Sequence, residues 1–68
     1  MKELRKKLAY YGFGSYLNNN NLYVLFINRN KTEFIKIKSN LFKKKTTENS
    51  ILFVKSLLPD YITKKHFN

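Results

Sequence analysis

Two runs rich in β-branched and aromatic residues, separated by a short polar stretch, constrain the fold of this chain more than any other feature. The first run is LYVLFI, residues 22–27, and the second is EFIKIK, residues 33–38. The NRNKT sequence between them is polar throughout. Two β-rich runs at this spacing predict an antiparallel β-hairpin.

The register of this hairpin decides which side chains face the core. Pairing the runs symmetrically about Asn30 gives an inward face made only of apolar side chains: Tyr23, Leu25, Ile35 and Ile37. The opposite face then carries Leu22, Val24, Phe26, Phe34, Lys36 and Lys38. Since side chains alternate along a strand, this register predicts a sheet with one apolar face and one mixed aromatic and cationic face.

Residues 2–11 are predicted to form a helix that packs on this sheet. Its apolar residues recur at helical spacing along one side: Leu4, Leu8 and Tyr11. Gly12 follows at the position where a left-handed residue ends many helices. In that ending, Phe13 would pack back on Leu8. The next residues, GSYLNNNN at 14–21, are predicted to form a loop that leads into the hairpin.

The second half of the chain is less regular. Residues 51–58, ILFVKSLL, fit neither period cleanly, and their β-branched and aromatic content favours a third strand over 51–55. Thr46 or Thr47 as an N-cap, with Glu48 behind, favours a helix instead. Pro59 and Asp60 predict the start of a short C-terminal helix. The expected fold is therefore α+β, with a helix on a small antiparallel sheet, in a single basic domain over residues 1–68.

The charge of the chain indicates its class of partner. Fourteen Lys and Arg residues face four Asp and Glu residues, and the net charge is +10. Such a surface binds polyanions, with nucleic acid as the first candidate and an anionic membrane surface as the second. At 43% hydrophobic residues, the chain is too apolar for a disordered basic tail. No apolar run is long enough to predict a membrane span.

The candidate RNA-binding residues are cations that lie near the outward face or on the first helix. The strongest are in and after the second run, where lysines adjoin aromatic residues: Lys36, Lys38, Lys43, Lys44 and Lys45. The supporting residues are at the hairpin tip and on the first helix: Arg29, Lys31, Arg5, Lys6 and Lys7. Solvated lysines, and core positions for Phe26 and Phe34, are the competing interpretation.

Enzyme chemistry finds little support in the sequence. The four carboxylates are scattered, and no glycine-rich phosphate loop is present. His66 is the only histidine, without an obvious orienting partner, and the chain has no cysteine. We therefore expect no catalytic residue, no metal site, no cofactor and no small-molecule substrate.

Two families share short motifs with this chain. Gly12 and Phe13 after a helix, the strand at 22–27 and the segment from Leu52 to Pro59 resemble the central part of small ribosomal subunit protein eight. That resemblance implies a strand over 52–55 and a helix starting after Leu58.

The helix ending in Gly12 and Phe13 also resembles HicA-type messenger-RNA interferases, which have a helix, three strands and a helix. Their catalytic histidine has no counterpart in NNNNLYV, residues 18–24.

Charge and both resemblances indicate RNA as the partner, and the expected function is that of an RNA-binding structural protein. The ribosomal resemblance implies ribosomal RNA and neighbouring ribosomal proteins as partners. The abundance of Asn, Lys, Ile, Phe and Tyr is typical of an AT-rich genome, which favours a mitochondrial or other organellar ribosome, with the bacterial cytoplasm as the alternative. The competing functions are a phage- or plasmid-type protein-binding or inhibitor module and, third, a relative of the interferases.

Overall fold

A computed structural model describes residues 1–67 and confirms an α+β fold with an N-terminal helix and an antiparallel sheet. The elements follow in this order: α1 (Lys2–Tyr10), β1 (Gly14–Asn18), β2 (Asn21–Asn28), β3 (Lys31–Lys38), a 3₁₀ helix (Ser39–Phe42), α2 (Thr47–Leu57) and α3 (Asp60–Phe67). The strands form one sheet in the order β1–β2–β3, and both pairs are antiparallel. The helices pack against one face of this sheet.

Helix α1 ends in the turn that its sequence predicts. Tyr11 is the C-cap, and Gly12 has a φ of +97°, in the left-handed region. The N–H of Phe13 donates to the carbonyl of Leu8 at 2.9 Å, and that of Gly12 donates to Ala9 at 3.0 Å. These two bonds define a Schellman motif, and Phe13 is buried behind it in the core. The prediction for this turn is confirmed.

The sheet has a strand where the sequence predicted a loop. Strand β1 runs from Gly14 to Asn18 and pairs with β2 through a two-residue turn at Asn19 and Asn20. Both turn residues have positive φ, 51° and 64°, as a type I′ turn requires. The short polar side chain of asparagine tolerates this conformation better than most residues. The run of asparagines therefore builds a tight hairpin.

The predicted second hairpin is confirmed, but its predicted register is wrong by one residue. The turn consists only of Arg29 and Asn30, with φ of 52° and 68°, so the centre of symmetry lies between them and not on Asn30. Val24 consequently lies opposite Ile35, and Leu22 lies opposite Ile37.

A one-residue shift exchanges the two faces of a strand. Strand β2 buries three alternate side chains: Leu22, Val24 and Phe26. Tyr23 and Leu25, predicted to point inward, lie on the outward face instead. The predicted inward positions of Ile35 and Ile37 are correct. The error in register reverses the two faces of β2 and leaves the faces of β3 as predicted.

The possible third strand over 51–55 is wrong, because these residues belong to helix α2. The side chain of Thr46 accepts a hydrogen bond from the N–H of Asn49 at 3.0 Å, which is the N-cap contact that the sequence allowed. Ile51 and Val54 are buried, whereas Leu52 is 58% exposed. The apolar run is therefore divided between the core and the solvent. The strand that the ribosomal resemblance implies over 52–55 is likewise helical.

One hydrophobic core joins the helices to the inward face of the sheet. Its buried members come from every element except β1: Leu4, Leu8, Phe13, Leu22, Val24, Phe26, Ile37, Phe42, Ile51, Val54, Leu58 and Ile62. The predicted short C-terminal helix is confirmed as α3.

No helix within residues 1–67 has the length and apolar character that a membrane crossing needs.

Candidate nucleic-acid interface

The outward face of the sheet lies opposite the side on which the helices pack, and Lys65 and His66 of α3 border a cleft at one end of this outward face. We call it the open face, and its residues follow from the observed register and the alternation of side chains: Gly14, Tyr16, Asn18, Asn21, Tyr23, Leu25, Ile27, Thr32, Phe34, Lys36 and Lys38. Large apolar side chains are exposed here, with Tyr16 at 43%, Ile27 at 52% and Phe34 at 57%. A sheet face of this composition in water is a candidate binding surface.

The open face carries cations and no carboxylate. Glu33 is the only acidic residue of the three strands, and it lies opposite the buried Phe26, hence on the other face. The remaining acids belong to the three helices: Glu3, Glu48 and Asp60. The fold therefore places all four acidic residues away from the open face, and an approaching anion meets only positive charge there.

Three aromatic rings form a continuous row across the open face. The rings of Tyr16 and Tyr23 are nearly parallel, with centroids 4.7 Å apart and an interplanar angle of 6°. Phe34 adjoins Tyr23 at 5.4 Å with a tilt of 58°. The row thus crosses all three strands, with its two end rings exposed and its middle ring half-buried.

The predicted residues Lys36 and Lys38 both lie on the open face. Lys36 is directly opposite Tyr23, and Lys38 is directly opposite Asn21. Both side chains are exposed. Lysines two residues apart on one strand stand about 6.6–6.8 Å apart along it, beside the aromatic row.

A polar cleft of about 440 Å³ continues the open face at the end of β3, and we call it the asparagine cleft. It forms because the 3₁₀ helix turns the chain back beside the β1–β2 turn, where the N–H of Ser39 donates to the carbonyl of Asn20 at 2.8 Å. Its lining combines amide side chains with two predicted lysines: Asn19, Asn20, Asn21, Lys38, Ser39, Asn40 and Lys43. The fold therefore brings Lys38 and Lys43 to one concave site.

The predicted block of three lysines is divided by the fold. Lys43 lines the asparagine cleft, and Lys44 is exposed beside it in sequence. Lys45 turns toward the helices, where its Nζ donates to the carbonyl of Leu41 at 2.9 Å and lies 4.8 Å from the ring centroid of Phe53. Lys45 thus links the loop before α2 to the 3₁₀ helix and to Phe53, which packs against the core.

The remaining predicted cations do not join the open face. Arg5 holds α1 to β1, because its guanidinium donates to the Oγ and the carbonyl oxygen of Ser15 at 3.3 and 3.0 Å. Lys6 and Lys7 line a separate cleft with Glu3 and Glu48 among the helices.

Arg29 and Lys31 lie at the tip of the β2–β3 hairpin. An eight-residue strand separates this tip from the asparagine cleft. At about 3.3 Å per residue, that distance exceeds roughly 20 Å. A ligand that contacts both must therefore extend along the whole sheet.

His66 joins the end of α3 to the turn after α1. Its Nδ1 lies 2.9 Å from the carbonyl oxygen of Tyr11, and its ring packs on Phe13 with centroids 4.2 Å apart. Among residues 1–67, no group of three His, Asp or Glu side chains is arranged to hold a metal ion.

The sequence interpretation missed Tyr16 and Tyr23, the two stacked rings of the open face. The sequence predicts Tyr16 in a loop and Tyr23 on the inward face. The available signal was the turn chemistry, since Asn19 with Asn20 and Arg29 with Asn30 each allow a two-residue turn. Phe26, weighed as a possible binding residue, is only 5% exposed and belongs to the core.

Comparison with models of protein families, with curated proteins and with solved structures found no match for this chain.

Proposed function

We propose that this chain binds structured RNA through the open face and the asparagine cleft, as a structural component of a ribonucleoprotein. The observation that carries this proposal is that the fold places lysines on the open face and the acidic residues away from it. Lys36, Lys38 and Lys43 lie on or beside a sheet face that has no carboxylate and that lies opposite the packed helices.

The physical reason is the phosphate backbone of the ligand. Each lysine that neutralises a phosphate releases a condensed counterion, and this release drives association at low salt. The asparagine cleft supports the same interaction, because amide groups and ammonium groups are both hydrogen-bond donors to phosphate oxygens. A face with donors, cations and no repelling acid suits a polyanion better than it suits a neutral protein surface.

A ribosome, specifically an organellar one, is the setting that we propose. The composition of the chain supports it, together with the small size of the core. A domain of this length without disulfides has thin stability by itself. Binding to RNA and to neighbouring proteins would add to that stability, since a ligand that binds only the folded state shifts the folding equilibrium.

The test is a charge-matched pair of double variants, measured with a fluorescent RNA stem-loop between about 50 and 200 mM salt. Lys36→Gln with Lys38→Gln removes two cations from the open face. Lys2→Gln with Lys64→Gln removes two exposed cations from α1 and α3. We expect the first variant to flatten the logarithmic salt slope by about 1.4–1.8, and the control to change it by much less.

The outcome separates a located interface from general attraction. Equal losses in the two variants would mean that the RNA responds to net charge alone and that the open face is not its site. No RNA binding by the parent chain at low salt would overturn the proposal. A protein partner recovered free of RNA from native complexes would favour the competing protein-binding function.

A further inference from the structure

The aromatic row on the open face has no role in binding phosphates. Phosphate contacts need cations and donors, which the lysines and the asparagine cleft supply. Tyr16, Tyr23 and Phe34 add a broad apolar surface to the same face, and the end rings remain 43% and 57% exposed. Stabilising the sheet explains the contact between the rings, but not why the row lies uncovered beside two lysines.

We propose that the segment of RNA on the open face is unpaired and that its bases stack on the rings of Tyr16 and Phe34. This inference rests on the proposed RNA-binding function and names the kind of RNA that the face selects. An unpaired base presents a flat face that stacks on an aromatic ring, and this stacking tolerates any base. A duplex hides those faces inside its own stack, so the aromatic row would gain little from it.

The arrangement of charges supports this occupant over a second copy of the chain. Two open faces brought together would oppose Lys36 and Lys38 of each copy, in chains that each carry a net charge of +10. An unpaired nucleotide has both groups that the face needs, a base for the rings and a phosphate for the lysines. Lys36 lies directly opposite Tyr23, so a cation is available in the same row as the stacked tyrosines.

The experiment compares ring removal at the open face with ring removal elsewhere. The test variant is Tyr16→Leu with Phe34→Leu, and the control is Tyr10→Leu with Tyr61→Leu, which removes two exposed rings from the helices. The probes are a short single-stranded RNA carrying 2-aminopurine and the same RNA paired to its complement.

We expect the parent chain to bind the single strand at least about tenfold more tightly than the duplex, with a change in 2-aminopurine fluorescence. The test variant should lose roughly tenfold in affinity per ring, with the salt slope unchanged because no cation is removed. The control should bind like the parent. Tyr16→Phe with Phe34→Tyr keeps both rings and should also bind like the parent.

Three results would overturn this inference while leaving the proposed function standing. They are equal or tighter binding of the duplex, full affinity in the folded Tyr16→Leu and Phe34→Leu variant, and no fluorescence change in the bound single strand. If the leucine variant does not fold, the strand preference and fluorescence of the parent chain decide. Failure of the parent to bind either RNA would overturn both proposals together.

Discussion

The imidazole of His66 donates a hydrogen bond to the carbonyl oxygen of Tyr11, with 2.9 Å between Nδ1 and the oxygen. A carbonyl oxygen only accepts, so the ring carries its proton on Nδ1 in this contact. The same ring packs on Phe13, and it lies directly over Gly12. The last helix is thus fastened to the turn that ends the first helix.

Gly12→Ala should destabilise the fold by roughly 1–2 kcal/mol, because a side chain at a φ of +97° is strained. The added Cβ would also lie 3.0 Å from Nδ1 of His66, so the ring would have to move. Thermal unfolding followed by circular dichroism should show a fall of at least about 4 °C.

Gly14→Ala is the matched control for this change. Gly14 is the other glycine of the chain, it lies in strand β1, and a Cβ there would make an ordinary 3.7 Å contact with Leu25. Its melting temperature should stay close to that of the parent. Equal effects in the two variants would contradict the role given to the Schellman turn.

Arg29→Asn should stabilise the protein by about 0.5–1 kcal/mol. Arg29 has a φ of 52° at the first position of a type I′ turn, where asparagine is preferred and most side chains are strained. Urea unfolding should show a higher midpoint with the same slope. An unchanged or lower midpoint would mean that Arg29 has contacts at the hairpin tip that offset its backbone strain.

The turns also show why the sequence predicted the elements better than the faces. Helix α1, its Schellman ending and the β2–β3 hairpin each follow from a local pattern of a few residues. The register depended on whether the turn is centred on Asn30 or lies between Arg29 and Asn30, a difference that hydrophobic pattern alone did not resolve. Every residue of LYVLFI is apolar or aromatic, so either face could have been the buried one.

Helix α2 shows how capping and tertiary packing outweigh strand propensity. Residues 51–54 are β-branched, aromatic or leucine, and propensity alone favours a strand. The N-cap at Thr46 and the burial of Ile51 and Val54 one turn apart make the segment a helix.

The error in the predicted register also affected the candidate site. Lys36, Lys38 and Phe34 are correctly predicted on the outward face, whereas Phe26 is wrongly predicted there and Tyr16 and Tyr23 are missing from the prediction.

Alternate residues of β3 should respond in opposite ways to substitution. Ile35→Lys with Ile37→Lys puts two charges on the inward face, where Ile37 is buried and Ile35 is half-buried. The cost should reach several kcal/mol, which is comparable to the whole stability of a domain this small. Circular dichroism should show loss of the folded spectrum at every salt concentration.

Lys36→Gln with Lys38→Gln is the comparison on the same strand. Both lysines are exposed, so this variant should keep the parent melting temperature within about 2 °C. A folded Ile35→Lys and Ile37→Lys variant would show that β3 does not use this face for the core.

The divided lysine block gives the last prediction. Lys43→Gln with Lys44→Gln should weaken RNA binding and leave stability unchanged, because Lys43 faces the asparagine cleft and both side chains are exposed. The logarithmic salt slope should flatten by about 0.7–0.9 for each phosphate contact that is lost.

Lys45→Gln should do the reverse. It removes the hydrogen bond to Leu41 and the cation–π contact with Phe53, and should lower stability by about 0.5–1.5 kcal/mol while the salt slope stays the same. Fluorescence titrations over a salt series and thermal melts of the same samples measure both effects. Identical behaviour of the two variants in both measurements would show that the fold does not separate a phosphate-binding lysine from a structural one within this block.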